Sequence, residues 1–184
     1  MKFVRYVVVV ALGCALAGCT PGTDVSPAPT WSPPASTPTS PPTPQWSPEE
    51  QAAIDAVQRY LEVWAAIGQD LVGADWNKIW DVATDPAAGN AMDLWTNWSY
   101  KGWHLVGAPA FTPSYLTPGA RDVQGEWWHV YGCYVIEGSY VADASGTSVG
   151  DEGRRERGMS SFDVLHATDG AYVVATTRME AETC

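Results

Sequence analysis

Three histidines, His104, His129 and His166, and the carboxylate of Asp163 are the side chains whose types suit general acid–base work. Tyr100, Tyr131 and Tyr134 could serve them as hydroxyl donors. Such a set can abstract a proton and steady the oxyanion that forms, provided that an apolar pocket holds base and donor together. Their spacing matches no established catalytic pattern, and a lone strand histidine is more often a surface or packed residue, so the sequence assigns no catalytic role. Nucleophilic chemistry lacks its Gly-x-Ser-x-Gly turn. The phosphate-binding glycine loop and the His-Glu-x-x-His zinc helix are missing as well, and neither cofactor nor metal is expected.

Tryptophan is the other unusual resource. Of the ten in the chain, Trp64, Trp76, Trp80, Trp95, Trp98, Trp103, Trp127 and Trp128 fall after Ser47. Aromatic faces stack on sugars and apolar ligands, which makes Trp95, Trp98, Trp103, Trp127 and Trp128 candidate ligand or interface residues. Rings of this size also fill the interior of a small domain, and that use is given the greater weight. Trp127 and Trp128 are neighbours, so on a strand they must point to opposite faces, one of them towards solvent or a partner.

With 21 acidic against 10 basic residues the formal net charge is -11. That balance argues against nucleic acid as a partner and against electrostatic docking on anionic lipid.

The elements that must position these side chains begin with an address. Lys2 and Arg5 precede an apolar run over residues 7–17 that ends at a small residue, Gly18, the plan of a secretory signal. Leu16-Ala17-Gly18-Cys19 resembles the lipobox of bacterial lipoproteins. The resemblance implies that residues 1–18 are a signal peptide and that Cys19 carries lipid, palmitate included. It also places the chain on the outer face of the cytoplasmic membrane. The competing Ala11-Leu12-Gly13-Cys14 would leave an apolar core about half the usual length. Once Cys14 and Cys19 are so accounted for, Cys133 and Cys184 remain, and in an exported protein a disulfide is expected of them rather than a zinc site.

Residues 19–46 hold most of the prolines, interleaved with Ser, Thr and Ala, and read as a tether in polyproline II reaching up to roughly 80 Å. The folded domain is expected over 47–184. Ser47-Pro48-Glu49-Glu50 has the form of a capping box with proline at the first helical position. Ile54, Val57, Leu61 and Trp64 then recur at helical spacing, and Asp55 stands four residues before Arg59, predicting a helix from Pro48 to about Gly68. A shorter helix is predicted over Trp76–Val82, capped by Asp75, with Trp76, Ile79 and Trp80 on one face. A third runs from Pro86 to about Tyr100, its ordered part starting near Ala91 because of Gly89 and Asn90.

From Gly102 the pattern turns to strands. Trp103–Ala108 and Phe111–Leu116 are read as two arms of one irregular first strand, confined to an edge or a bulge by Pro109, Pro113 and Pro118. Glu126–Val141 is read as one long strand bent at Gly132 and Gly138. Residues 142–158 form a polar loop. Asp169-Gly170 marks a two-residue hairpin turn that sets Phe162 opposite Thr177 and Asp163 diagonal to Arg178, within reach of an ion pair.

Three helices, the longest first, followed by antiparallel strands make an α+β domain whose order of elements resembles the NTF2-like, or cystatin-like, fold. The resemblance covers Ser47 to Cys184 and implies a curved antiparallel sheet wrapped around the first helix, with a conical pocket between. Lipoproteins of actinobacterial type often carry such a domain on a Pro/Thr/Ser tether, with cysteines placed like Cys133 and Cys184. Members of the fold include isomerases and cyclases, but many are binding modules. The expectation is a non-enzymatic envelope module that binds a protein or a small apolar or sugar ligand. The alternative is an isomerase or cyclase acting on an apolar ligand in the cone.

Overall fold

The computed structural model describes residues 45–150, 156–180 and 183–184. The leader expected at 1–18, the expected lipid acceptor Cys19 and the expected tether as far as residue 44 lie outside the described residues, as do Arg154 and Arg155 of the expected polar loop.

Helix α1 spans Pro48–Gln69 and starts on the expected capping box: Glu50 N–H donates to Ser47 Oγ at 3.2 Å, and Ser47 N–H donates to Glu50 Oε2 at 2.7 Å. One stripe of α1, Ile54, Val57, Tyr60, Leu61 and Ala65 among it, is buried. Asp55 does not pair with Arg59; its carboxylate takes Gln51 Nε2 at 2.7 Å instead. A 3-10 helix follows over Trp76–Asp81, capped by Asp75 as expected. Because a 3-10 helix repeats every three residues, Trp76 and Ile79 share a face and Trp80 does not; Trp80 is exposed. Helix α2 runs Ala87–Lys101, four residues earlier than Gly89 and Asn90 suggested, and closes at Gly102 in the left-handed conformation. The burial of Ala87, Ala88 and Ala91 against the core outweighs the weak helix propensity of their neighbours.

Among the described residues the strands that follow are β1 His104–Val106, β2 Ala110–Arg121, β3 Gly125–Val135, β4 Tyr140–Ala142, β5 Arg157–Ala167 and β6 Tyr172–Met179. The antiparallel order β2-β3-β5-β6 makes the main sheet, and β1 pairs with β4 in a separate ribbon. The α+β class, with the helices packed on one face of a curved antiparallel sheet, is therefore as expected.

Two strand assignments need correction, and one contact explains both. Gly107 (φ 73°) lies so close to Gly138 that a Cβ on it would stand 2.6 Å from the Gly138 carbonyl oxygen. At this contact both chains turn out of the main sheet. β1 is therefore not an arm of β2, and the long strand expected over 126–141 breaks at Gly138 (φ 75°) into β3 and β4. The prolines of β2 act as expected: the strand is at an edge, and its register shifts between Pro113 and Tyr115 and between Pro118 and Arg121.

The β5–β6 hairpin reaches the expected pairing by an unexpected route. Phe162 is opposite Thr177, and Asp163 is diagonal to Arg178. Ala167, not Thr168, is the residue opposite Ala171, which lengthens the turn, and an extra residue in β6, Ala175, restores the register between Val164/Val174 and Asp163/Thr176. The bulge also changes the phase of β6. Val174 is buried towards the helices, whereas Thr176 bonds Asp163 on the far side.

Cys133 and Cys184 form a disulfide with their Cα atoms 5.7 Å apart. Beside it Glu180 N–H donates to the Met159 carbonyl and Ser161 Oγ donates to Glu180 Oε1, so the segment after β6 is tied to β5.

Candidate functional site

The buried stripe of α1, the first turns of α2 and the inner face of the sheet do not close completely. They leave a cavity of about 300 Å³. Tyr60, Leu61 and Trp64 come to it from α1, Asn90, Ala91 and Leu94 from α2, Tyr134 from β3, Ser160 and Phe162 from β5, and Thr177, Arg178 and Met179 from β6. The interior is apolar and aromatic, with Phe162 edge-on to Tyr60 at 6.5 Å and to Phe111 at 5.0 Å. Asn90, Leu94, Thr177 and Met179 are exposed and form the mouth, while the exposed Arg178 turns its guanidinium towards Asp163 on the outer face.

Tyr60, Tyr134 and Ser160 bring hydroxyls to its lining. Ser160 Oγ donates to Met179 Sδ at 3.0 Å. Tyr60 is buried, and burial, followed by the neighbouring Tyr134 phenol, raises its pKa well above the ordinary tyrosine value, so it stays protonated as a donor. Its periodicity on α1 places it in the apolar stripe with Ile54, Val57 and Leu61. A polar tip on an apolar face was the available signal, and sequence reasoning passed over it.

Of the residues proposed for acid–base work, only Tyr134 reaches this cavity. His104 is in the β1–β4 ribbon opposite Ala142. His166 stacks flat on Tyr172, ring centroids 4.1 Å apart. Tyr100 is almost wholly exposed, and Tyr131 stacks on Tyr115 at 4.5 Å. His129 and Asp163 do meet, on the outer face of the sheet. His129 Nδ1 is 2.6 Å from Asp163 Oδ1, Thr176 Oγ1 donates to Asp163 Oδ2 at 2.5 Å, and Arg178 stands 3.8 Å from the same oxygen. Burial pushes the Asp163 carboxyl up. The hydrogen bonds from Thr176 and His129, with the charges of His129 and Arg178, outweigh that and hold it below the usual range. Both carboxylate oxygens are thus engaged within a network that bridges β3, β5 and β6.

The tryptophans divide in a way the sequence did not separate. Trp95 is fully buried and Trp98 nearly so, which corrects their candidacy as ligand or interface aromatics. They pack with Trp64 and Trp76 between the helices, edge to face or tilted, at 5.9–6.5 Å. They do not fill the cone, which was the weightier expectation; only Trp64 reaches the cavity. Trp103 is half-buried under Lys101 Nζ, 4.3 Å from the ring centroid. Trp127 and Trp128 do take opposite faces: Trp128 packs on the core, and Trp127 lies outside, its Nε1 donating to Asp122 Oδ2 at 2.8 Å. Neither is fully exposed. Among the described residues no group of three or more His, Cys, Asp or Glu could hold a metal ion, and no helix is long and apolar enough to cross a membrane.

No protein-family model and no curated protein matches the sequence. Among solved structures the domain is similar to the intermembrane-space region of the chloroplast protein ARC6, at 9% identity and a TM-score of 0.48 over 77% of this chain and 100% of that one. A second is a putative aromatic ring hydroxylase from Novosphingobium aromaticivorans, at 14% identity and a TM-score of 0.34 over 71% and 88%. Neither likeness is strong enough to carry an argument about function.

Proposed function

We propose that this chain is a lipid-anchored extracytoplasmic lipoprotein whose folded domain, of NTF2-like type, is a non-enzymatic module that binds a small apolar ligand between its helices and its sheet. The observation that carries the reading is the cavity itself. Its volume sits at the lower end of the range for small-molecule sites, roughly 300–1,000 Å³, and among the described residues its lining includes no histidine and no carboxylate. A proton-transfer enzyme of this plan requires its base inside the pocket. The His129–Asp163 pair lies on the opposite face of the sheet from Phe162. The anchoring half of the proposal rests on Leu16-Ala17-Gly18-Cys19 and the proline-rich stretch behind it.

The two halves are tested separately. Equilibrium dialysis of the full-length chain against naphthalene should show saturable binding that Leu94→Trp, which narrows the mouth, abolishes without unfolding the domain. Undiminished binding by that variant would place the ligand elsewhere. Cys19→Ala should release the protein from membranes or leave an uncleaved precursor, and an N-terminal peptide without acyl mass on the wild type would overturn the anchor.

A further inference from the structure

The cavity is not uniformly apolar, and its polarity has a direction. Exposed residues of both polar and apolar kind ring the mouth, whereas the buried Tyr60, its ring edge-on to Phe162, brings a hydroxyl to the lining. Tyr60 makes no hydrogen bond to another described residue. Tyr60 lines the cavity, and burial holds its hydroxyl in the protonated form that can donate. Ser160, another hydroxyl of the lining, already directs its proton to Met179.

Electric charge inside is a different matter. Among the described lining residues the cation is Arg178, and its guanidinium lies 3.8 Å from Asp163 on the outer face of the sheet. None of the described interior residues carries a positive charge that could neutralise a carboxylate, and burying an unpaired charge costs far more than burying a polar group that finds a partner. The raised pKa of Tyr60 points the same way, since burial already disfavours negative charge at that oxygen.

Resting on the reading of the cavity as a ligand site, we propose that it takes an uncharged, carbonyl-bearing apolar molecule head first, the carbonyl accepting from Tyr60 and the apolar body lying along Leu61, Trp64 and Phe162 towards Leu94. A carboxylate of the same shape is rejected from that orientation, and a hydrocarbon of the same shape leaves the Tyr60 donor without an acceptor.

Three probes of one shape test this on the purified full-length chain: 2-acetylnaphthalene, 2-ethylnaphthalene and 2-naphthoate, with dissociation constants measured at pH 7 by equilibrium dialysis. After correction for water-to-octanol partition, the ketone should bind about fivefold more tightly than the hydrocarbon, the worth of one neutral hydrogen bond, and the carboxylate should bind most weakly. Tyr60→Phe keeps the ring against Phe162 and removes only the hydroxyl. It should erase the preference for the ketone while leaving 2-ethylnaphthalene affinity unchanged. A preference for the ketone that survives Tyr60→Phe, equal corrected binding of ketone and hydrocarbon, or tightest binding of 2-naphthoate would each overturn the proposal while sparing the cavity as a ligand site. Failure of all three probes to bind would overturn both.

Discussion

His129 Nδ1 lies 2.6 Å from Asp163 Oδ1, joining the neighbouring strands β3 and β5 on the face of the sheet that the helices leave bare. The pairing resembles an acid–base dyad, yet the second carboxylate oxygen is held by Thr176 and Arg178, and the ring is half-exposed on an outer surface instead of in a pocket. The arrangement is a brace across three strands.

Its pH dependence follows from the depressed pKa of Asp163. A carboxyl held below its unfolded value of about 3.9 stabilises the fold above that pH, and the contribution is lost as pH falls through the lower folded value. Chemical denaturation followed from pH 7 to pH 2 should therefore show stability falling below about pH 4. In Asp163→Asn that part of the decline should be shallower. Removing only the Thr176 contact, with Thr176→Val, should cost about 1–3 kcal/mol, because it strips a partner from an ionised group.

The Cys133–Cys184 bridge closes a loop with a sequence separation of 51. On the chain-entropy account a loop of that size contributes roughly 4 kcal/mol. Cys133→Ser with Cys184→Ser should lower the unfolding free energy by about that amount, measured in urea. A reducing agent should do the same to the wild type and nothing to the double variant.

Trp95 and Trp80 should separate sharply. Trp95 is fully buried among Trp64, Trp76 and Gly68, and Trp95→Ala should cost about 3–5 kcal/mol, the range for large-to-small changes in a core. Trp80 is 44% exposed on the 3-10 helix, and Trp80→Ala should change stability by only about 0.5 kcal/mol. Thermal unfolding of the two variants checks both.

Gly132 has no room for a side chain: a Cβ there would stand 2.3 Å from the Thr112 carbonyl oxygen and 2.5 Å from Phe111 Cζ. Gly132→Ala should destabilise the domain by about 1–3 kcal/mol through overpacking. Adding Phe111→Leu should recover part of that loss and leave the clash with the backbone.

How much was legible in the sequence depended on how local the determining chemistry was. Ser47, Pro48 and Glu50 define the start of α1 by themselves, and the two cysteines remaining beyond Cys19 left one pairing to consider. The departure of β1 and β4 into their own ribbon was not legible, because it depends on Gly107 meeting Gly138, 31 residues apart, and each glycine alone reads as an ordinary bend. The inversion of β6 at Ala175 was hidden for a related reason. A buried alanine carries no pattern that marks it as a bulge, and the longer turn at Ala167–Ala171 offsets it, so the distant pairing of Phe162 with Thr177 came out the same. The candidate site was the least legible part. Its polar atom belongs to Tyr60, on the element whose role seemed settled as packing, while the histidines that drew attention on chemical grounds are dispersed over three places.

The indole quartet of the helices has an optical consequence. Trp64 is 5.9 Å from Trp98 and 6.5 Å from Trp95, and Trp95 is 6.1 Å from Trp76, so light absorbed by any of the four is shared among rings nearly in contact. Such closely spaced, mutually tilted chromophores couple their transitions and give the folded domain a strong near-ultraviolet dichroic band, which vanishes when the helices separate. Trp64 is also the one member of the quartet that faces the cavity. An absorbing molecule lodged there would drain the excitation of all four rings through that single indole, and the domain's own emission would report the occupancy of its site without any attached dye.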